Sequence, residues 1–384
     1  MEENFEIKTE STKATKVKQS ERRSASTLSI IAFVLSVSAC GFSVYNYYNN
    51  GSSVTNYSYS PDGNSQNFVA GSITDIANQV SDSVVSITTE VRTKTWFGTE
   101  STGQAAGTGF IISESGYIMT NKHVVESAKT VNITLNNGKT YKNVKVVGLD
   151  PLNDSAILKV DNPENFKAVK LGDSKTVNAG QQVIVIGNAL GEYSNSVTSG
   201  IVSGTGRSLV ASDSNGSSYE QLSDMIQTDA AINGGNSGGP VVNAAGEVIG
   251  IATAYASSSQ TVGFAIPIAN VKGIITNVLE TGKFERAVLG VQYTPITADL
   301  AEKNNLPVNY GAYISEKITS SSAGEEIGLQ KGDIITEVNG IKIGKAGSLS
   351  TLIGEYKVGD KITIKIIRNN KEITKEVTLK AYQK

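Results

Sequence analysis

The run Ile232-Asn233-Gly234-Gly235-Asn236-Ser237-Gly238-Gly239-Pro240 places one serine among residues so small that only backbone and a hydroxyl can face a substrate. Glycines on either side admit backbone conformations closed to other residues and let a peptide approach closely. A serine nucleophile needs that geometry, together with backbone N–H groups aimed at the oxyanion it creates. Within the turn Gly235-Asn236-Ser237, the Gly235 and Ser237 amides could supply them. Pro240 then ends the turn, and Val241-Val242 resumes a strand before the turn Asn243-Ala244-Ala245-Gly246. One alternative is a glycine-rich hairpin without chemistry. Another is the nucleophile elbow of α/β-hydrolases, because the run satisfies Gly-x-Ser-x-Gly, but that fold places its histidine after the serine. The chain has a single histidine, His123, and it precedes Ser237. The elbow reading fails.

An activated serine requires a base, and His123 is the one imidazole available. It ends the apolar run Gly116-Tyr117-Ile118-Met119-Thr120-Asn121-Lys122-His123. The third member should be a carboxylate that orients the ring and stabilises its cation. Asp154 is the choice, since it opens the strand-like Asp154-Ser155-Ala156-Ile157-Leu158-Lys159-Val160. Asp150 competes, but its Asp-Pro step reads as a turn whose side chain caps its own backbone. The order His123, Asp154, Ser237 is that of the chymotrypsin-type double β-barrel.

Three blocks carry a closer resemblance: Thr120-Asn121-x-His123-Val124-Val125, Asn153-Asp154-x-Ala156-Ile157-Leu158-Lys159, and Ile226-Gln227-Thr228-Asp229-Ala230-Ala231-Ile232-Asn233-x-Gly235-Asn236-Ser237-Gly238-Gly239-Pro240. With Gly187-Asn188-x-Leu190-Gly191, Ser196-Val197-Thr198-x-Gly200-Ile201-Val202-Ser203 and Gly263-Phe264-Ala265-Ile266-Pro267, the chain resembles the high-temperature-requirement (HtrA/Deg) serine proteases over residues 72 to 280. Two positions depart from the family pattern, Gly234 and Ala189, where proline is frequent; both changes loosen a loop. Digestive relatives of this fold carry an aspartate before the nucleophile as part of zymogen activation. Here that residue is the uncharged Asn236, so the resemblance implies control by loop ordering rather than cleavage. The position that forms the pocket base in trypsin-like relatives is Ala231. With Ile232 and the strand Ile251-Ala252-Thr253, it implies an uncharged pocket for small or medium aliphatic side chains.

From Arg286 the pattern changes. Val288-Leu289-Gly290-Val291, then Ile327-Gly328-Leu329-x-x-Gly332-Asp333-Ile334-Ile335-x-x-Val338-Asn339-Gly340, resemble the family's PDZ domain over residues 286 to 384. The resemblance implies that Leu289-Gly290-Val291 is the carboxylate-binding loop for a peptide C-terminus, with a helix from Leu349 to Tyr356 as the other wall. The alternative is a structural lid that binds nothing.

These groups need elements to hold them. Ile73-Thr74-Asp75-Ile76-Ala77-Asn78-Gln79-Val80 has helical apolar spacing. Val84–Ile87, Val131–Thr134, Tyr141–Val147, Val183–Ile186 and Val248–Thr253 are short strands with turn signals between them, an all-β signature. Thr93 to Gly109 reads as a mobile loop, and a helix from Ala269 to Leu279 closes the domain. The expected fold is mostly β: a chymotrypsin-like double β-barrel at 72–282, an α+β PDZ domain at 286–384, and an N-terminal transmembrane helix.

That helix is expected at 27–48, where Thr27 to Tyr48 runs without a charge and ends in Tyr45, Tyr47 and Tyr48; its length suits a hydrocarbon core of about 30 Å. Residues 1–26 are polar, with Lys16, Lys18, Arg22 and Arg23 at their end, and no Lys or Arg follows until Arg92. The positive-inside rule then makes 1–26 a cytoplasmic tail and leaves the catalytic and PDZ domains outside. Residues 49–71 read as a flexible linker. The rival is a signal peptide, with Val37-Ser38-Ala39-Cys40 resembling a lipobox that would lipidate Cys40; both readings leave the catalytic part outside the cytoplasm.

With 384 residues, a net charge of −2, one Cys and one His, the chain excludes an intrachain disulfide, a Cys/His zinc site and an H-E-x-x-H metalloprotease. No cofactor is expected and nucleic acid is not an expected partner. The expected function is an extracytoplasmic serine endopeptidase. The family resemblance implies unfolded or misfolded envelope and secreted proteins as substrates and a homotrimer or larger oligomer. The alternatives are a non-proteolytic chaperone or PDZ scaffold, and a narrowly specific processing protease.

Overall fold

The computed structural model describes residues 72–94, 100–189, 193–212, 219–253, 262–344 and 346–383. The expected tail, membrane segment and linker, with Cys40, lie outside the described residues, among which no helix is long and apolar enough to cross a membrane. The description opens with α1 (Ile73–Ser81), whose N-terminus is closed by a capping box: the Ser72 hydroxyl accepts the Asp75 N–H, and the Asp75 carboxylate accepts the Ser72 N–H. Ile76, Ala77 and Val80 are its buried face.

The first barrel is a seven-stranded sheet built from β1 (Val84–Lys94), β2 (Glu100–Ile111), β3 (Tyr117–Thr120), β4 (Ala128–Leu135), β5 (Thr140–Tyr141), β6 (Lys145–Leu149) and β7 (Ala156–Lys159). Its order is β5-β4-β1-β2-β3-β7-β6. Between β3 and β4 lies one turn of helix, α2 (Lys122–Val125). Two sequence expectations are corrected here. The segment from Glu100 to Gly109, read as loop, is strand: it pairs with β1 from Val84↔Phe110 to Lys94↔Glu100. Its glycines serve close approach, since a Cβ on Gly107 would stand 2.6 Å from Val124 Cγ1. The expected single strand Tyr141–Val147 is broken into β5 and β6, because Asn143 takes φ +54° and donates its N–H to Asn132 Oδ1, which turns the chain out of the ladder.

The second barrel contains β8 (Lys170–Leu171), β9 (Gln182–Ala189), β10 (Tyr193–Ser212), β11 (Tyr219–Thr228), β12 (Pro240–Val242), β13 (Glu247–Thr253) and β14 (Gly263–Pro267). Its order is β12-β9-β10-β11-β14-β13-β8, and β12 also pairs with β13, which closes the sheet. A continuous apolar cluster joins the two barrels, with Phe110, Met119 and Ile157 from the first against Ile184, Ile251 and Ile266 from the second. The helix α3 (Ala269–Thr281) covers it and ends at Gly282, whose φ of +73° is the left-handed conformation that terminates helices.

The C-terminal part is built on a sheet of β16 (Tyr293–Pro295), β17 (Ala312–Ile314), β18 (Ile334–Val338), β20 (Lys361–Arg368) and β21 (Lys371–Thr378), with β19 (Ile341–Lys342) on β18. A separate pair joins β15 (Ala287–Val288) to β22 (Lys380–Ala381). Helices α4 (Ala298–Lys303), α5 (Ala323–Glu326) and α6 (Leu349–Gly354) complete it. Side chains of Leu289, Ile314, Val338, Leu352, Ile364 and Val377 form its own core. This part is tied to the barrels. Asp224 Oδ2 accepts the N–H of Ser348 at 2.7 Å and the Thr351 hydroxyl at the start of α6, while Lys175 pairs with Glu355 and Lys357 with Glu280.

Candidate active site

His123 is carried by α2, which β3 delivers through Asn121, an N-cap in extended conformation. The ring Nδ1 lies 2.6 Å from Asp154 Oδ2, and the His123 backbone N–H donates to Asp154 Oδ1 at 2.9 Å. An ionised carboxylate only accepts, so Nδ1 is the donor in this pair and Nε2 faces away from Asp154. Asp154 is fully buried, whereas the His123 side chain is 32% exposed. One group is therefore fixed inside the protein while the other meets solvent. Asn121 completes the support: its Nδ2 donates to Asp154 O at 2.7 Å and to Thr253 Oγ1 at 3.0 Å.

Asp150 has a different task. Its Oδ1 accepts the Leu152 N–H at 3.0 Å, which is the self-capping turn expected of it. Its Oδ2 accepts from Arg286 Nη1 at 2.5 Å, from Asn153 Nδ2 at 3.2 Å and from Ser155 Oγ at 3.3 Å. Asp150 thus shapes the turn from which Asp154 projects.

Ser237 is buried in a turn that requires glycine twice: Gly235 has φ +102° and Gly238 φ +84°. The loop before it is held by Asn236, whose Oδ1 accepts the Asn233 N–H at 2.9 Å and whose Nδ2 donates to Ala231 O at 3.1 Å. The amide directions follow from trans peptide geometry, in which C=O and N–H point opposite ways. Asn236 O accepts the Gly239 N–H at 3.0 Å, which turns the Ser237 N–H to the other side of that plane. Among the described residues nothing accepts the Gly235 N–H. The turn abuts the His123 segment: a Cβ on Gly238 would lie 3.0 Å from Asn121 N.

The five residues expected to form the substrate pocket are not equivalent. Ala231 and Ile232 are half-buried at the edge of the turn. Ile251 belongs to the inter-barrel core, Ala252 to the interior of the second barrel, and Thr253 is buried with its hydroxyl on Asn121. The accessible apolar surface therefore reduces to Ala231 and Ile232. In the C-terminal part, Leu289, Gly290 and Val291 line a cleft of about 350 Å³ with Leu349 and Ile353 of α6. Leu152 of the catalytic domain lines the same cleft and is 41% exposed, a contribution with no signal in the sequence.

Residues 107–251 match the trypsin-like peptidase domain, and residues 287–379 match the PDZ domain. A probable periplasmic serine endoprotease, DegP-like, of Marinomonas sp. is 38% identical over 344 residues, 80% of this chain and 71% of that relative. The chain belongs to the HtrA/Deg family of serine endoproteases. The periplasmic serine endoprotease DegP of Salmonella typhimurium is 39% identical over 279 residues, 72% of this chain. The chain spans 57% of that relative's length. Among solved structures, the HtrA-type protease AlgW with decapeptide has a TM-score of 0.58 at 29% identity, covering 82% of this chain and 100% of that one. Within the HtrA/Deg pattern the glycine at 234 is unconstrained by packing, since a Cβ there would meet nothing within 4 Å.

Proposed function

We propose that the chain is a membrane-anchored, extracytoplasmic serine endopeptidase that degrades unfolded or misfolded envelope and secreted proteins, as part of quality control under stress. The observation that carries this reading is the buried Asp154 carboxylate holding His123 through both oxygens, at 2.6 and 2.9 Å, with the Gly235-Asn236-Ser237 turn against the same segment. Ser237 Oγ attacks the peptide carbonyl as His123 Nε2 takes its proton, and Asp154 stabilises the imidazolium. The Gly235 and Ser237 amides hold the oxyanion. His123 returns the proton to the leaving amine, and water then hydrolyses the acyl-enzyme. Ala231 and Ile232, which present no charge, favour small or medium aliphatic side chains at the cleaved position.

Residues 27–48 anchor the protein with 1–26 in the cytoplasm; a lipidated Cys40 would leave the catalytic part on the same side. The cleft at Leu289-Gly290-Val291 takes peptide C-termini, and the assembly is a homotrimer or larger homo-oligomer, as the family resemblance implies. Unfolded casein and a fluorophosphonate probe test the reading on the parent, Ser237→Ala and Asp154→Asn. Cleavage and labelling by the parent alone are expected, with Asp154→Asn folded but about 10³- to 10⁴-fold slower. A parent that neither labels nor cleaves overturns the reading and moves a PDZ scaffold to first place.

A further inference from the structure

Thr108 of β2 is fully buried, and each of its polar atoms is spent on the nucleophile turn or its surroundings. Its N–H donates to Ser237 O at 2.8 Å. Its hydroxyl donates to Gly235 O at 2.7 Å and accepts the Asn188 N–H of β9 at 2.8 Å. Its carbonyl accepts the Thr120 hydroxyl at 2.7 Å. One residue on the first barrel thus grips the carbonyls on both sides of Asn236, on the second barrel: Gly235 O through its hydroxyl and Ser237 O through its backbone N–H.

The consequence for chemistry follows from peptide planarity. The Gly235–Asn236 peptide is pinned at both ends: its C=O by the Thr108 hydroxyl and its N–H by Asn233 O at 3.3 Å. A plane held at both ends cannot rotate without breaking two hydrogen bonds, one of them buried. Gly235 stands between this pinned plane and Gly234, whose neighbourhood is open. The φ of +102° at Gly235 therefore has its fixed reference on the Thr108 side. We propose that the Thr108 hydroxyl is a positioning group that holds the turn in the conformation where the Gly235 and Ser237 amides converge on the oxyanion. It touches neither substrate nor reacting atoms and acts through Gly235. This inference rests on the serine-endopeptidase reading above.

The test uses the full chain and compares Thr108→Val, which keeps the shape and loses the hydroxyl, with Thr108→Ser, which keeps the hydroxyl. A peptide substrate gives kcat and KM, a fluorophosphonate gives the labelling rate of Ser237, and circular dichroism follows folding. Thr108→Val is expected to lower kcat and the labelling rate by about 10- to 100-fold, less than removal of an oxyanion donor outright, with KM within about twofold of the parent. Thr108→Ser is expected to stay within about threefold of the parent, because a hydroxyl at that position restores both hydrogen bonds. Should Thr108→Val not fold, Thr108→Ala is measured against Thr108→Ser, and the same loss is expected between them. Parent-like kcat in the hydroxyl-free variant, a loss confined to KM, or equal losses with and without the hydroxyl would each overturn the positioning role while the parent still labels. A parent that never labels refutes the underlying endopeptidase reading instead, and this inference with it.

Discussion

Asp150 and Arg286 form an ion pair at 2.5 Å with side-chain exposures of 0% and 5%, and its members are unequally supported. Arg286 has one other acceptor from Nη1, the Asn270 carbonyl at 3.2 Å. Asp150 keeps three neutral donors without Arg286: the Leu152 N–H, Asn153 Nδ2 and Ser155 Oγ. Removing one member of a buried pair costs about 3–5 kcal/mol, because the other charge is left uncompensated. Asp150→Asn, which strands the guanidinium, should fall in that range. Arg286→Met strands a carboxylate that is still hydrogen-bonded and should cost less, about 2–3 kcal/mol. The double variant has no stranded charge, so its cost should fall short of the sum of the singles by at least about 2 kcal/mol. Urea unfolding followed by circular dichroism reads these differences as shifts in midpoint at constant slope. Additive single costs, or an Asp150→Asn cost below about 1 kcal/mol, would show that solvent reaches the pair and that burial is not what sets its strength.

Gly238→Ala should be destabilised by more than about 2 kcal/mol, because φ is +84° and the new Cβ would press on the Thr108 carbonyl and the Thr120 hydroxyl; a parent-like melting temperature with normal probe labelling would refute that account. Glu247 gives a pH prediction: its hydrogen bond from Lys170, then that from Asn243, hold its carboxyl below the usual glutamate range. A lowered folded pKa means stability that is present above the unfolded value and lost as pH falls through the folded one. The difference in urea midpoint between the parent and Glu247→Gln should therefore shrink on acidification from about pH 6 to 3; a difference that is constant or grows would refute the assignment.

The candidate trio was legible because each member sits in a local run with one chemical use: a serine between glycines, the only histidine, and an aspartate opening an apolar strand. The α1 helix was legible from its apolar spacing, and β1, β4, β9 and β13 from short apolar runs between turn signals. The Glu100–Gly109 strand was not, because small polar residues and glycines read as a loop when the partner strand is unknown. Once β1 is beside it, Gly107 is the residue that lets Val124 close in. The resemblance set Ile251-Ala252-Thr253 beside Ala231 and Ile232, but that strand has a barrel interior on one side and the inter-barrel core on the other. The roles of Thr108 and Arg286 left no trace in the sequence, since Gly235 and Asp150 lie 127 and 136 positions from them and chain spacing carries no information about such pairs.

The change of sequence pattern at 283–286 marks where one set of strands stops and another starts, yet the energetic boundary lies elsewhere. Arg286, the first residue of the PDZ-like pattern, neutralises a carboxylate inside the catalytic domain, while its own carbonyl accepts the Tyr382 N–H at 2.8 Å near the end of the chain. The turn from Asp150 to Ser155 then bears three loads at once: the ion pair with Arg286, the exposed Leu152 at the cleft wall, and Asp154, which holds the His123 imidazole. A turn of this length has few independent torsions, and hydrogen bonds from Leu152, Asn153 and Ser155 to one carboxylate remove most of them. Its conformation is consequently a joint property of both domains, and the geometry at His123 is built on a turn that the catalytic sequence alone does not complete.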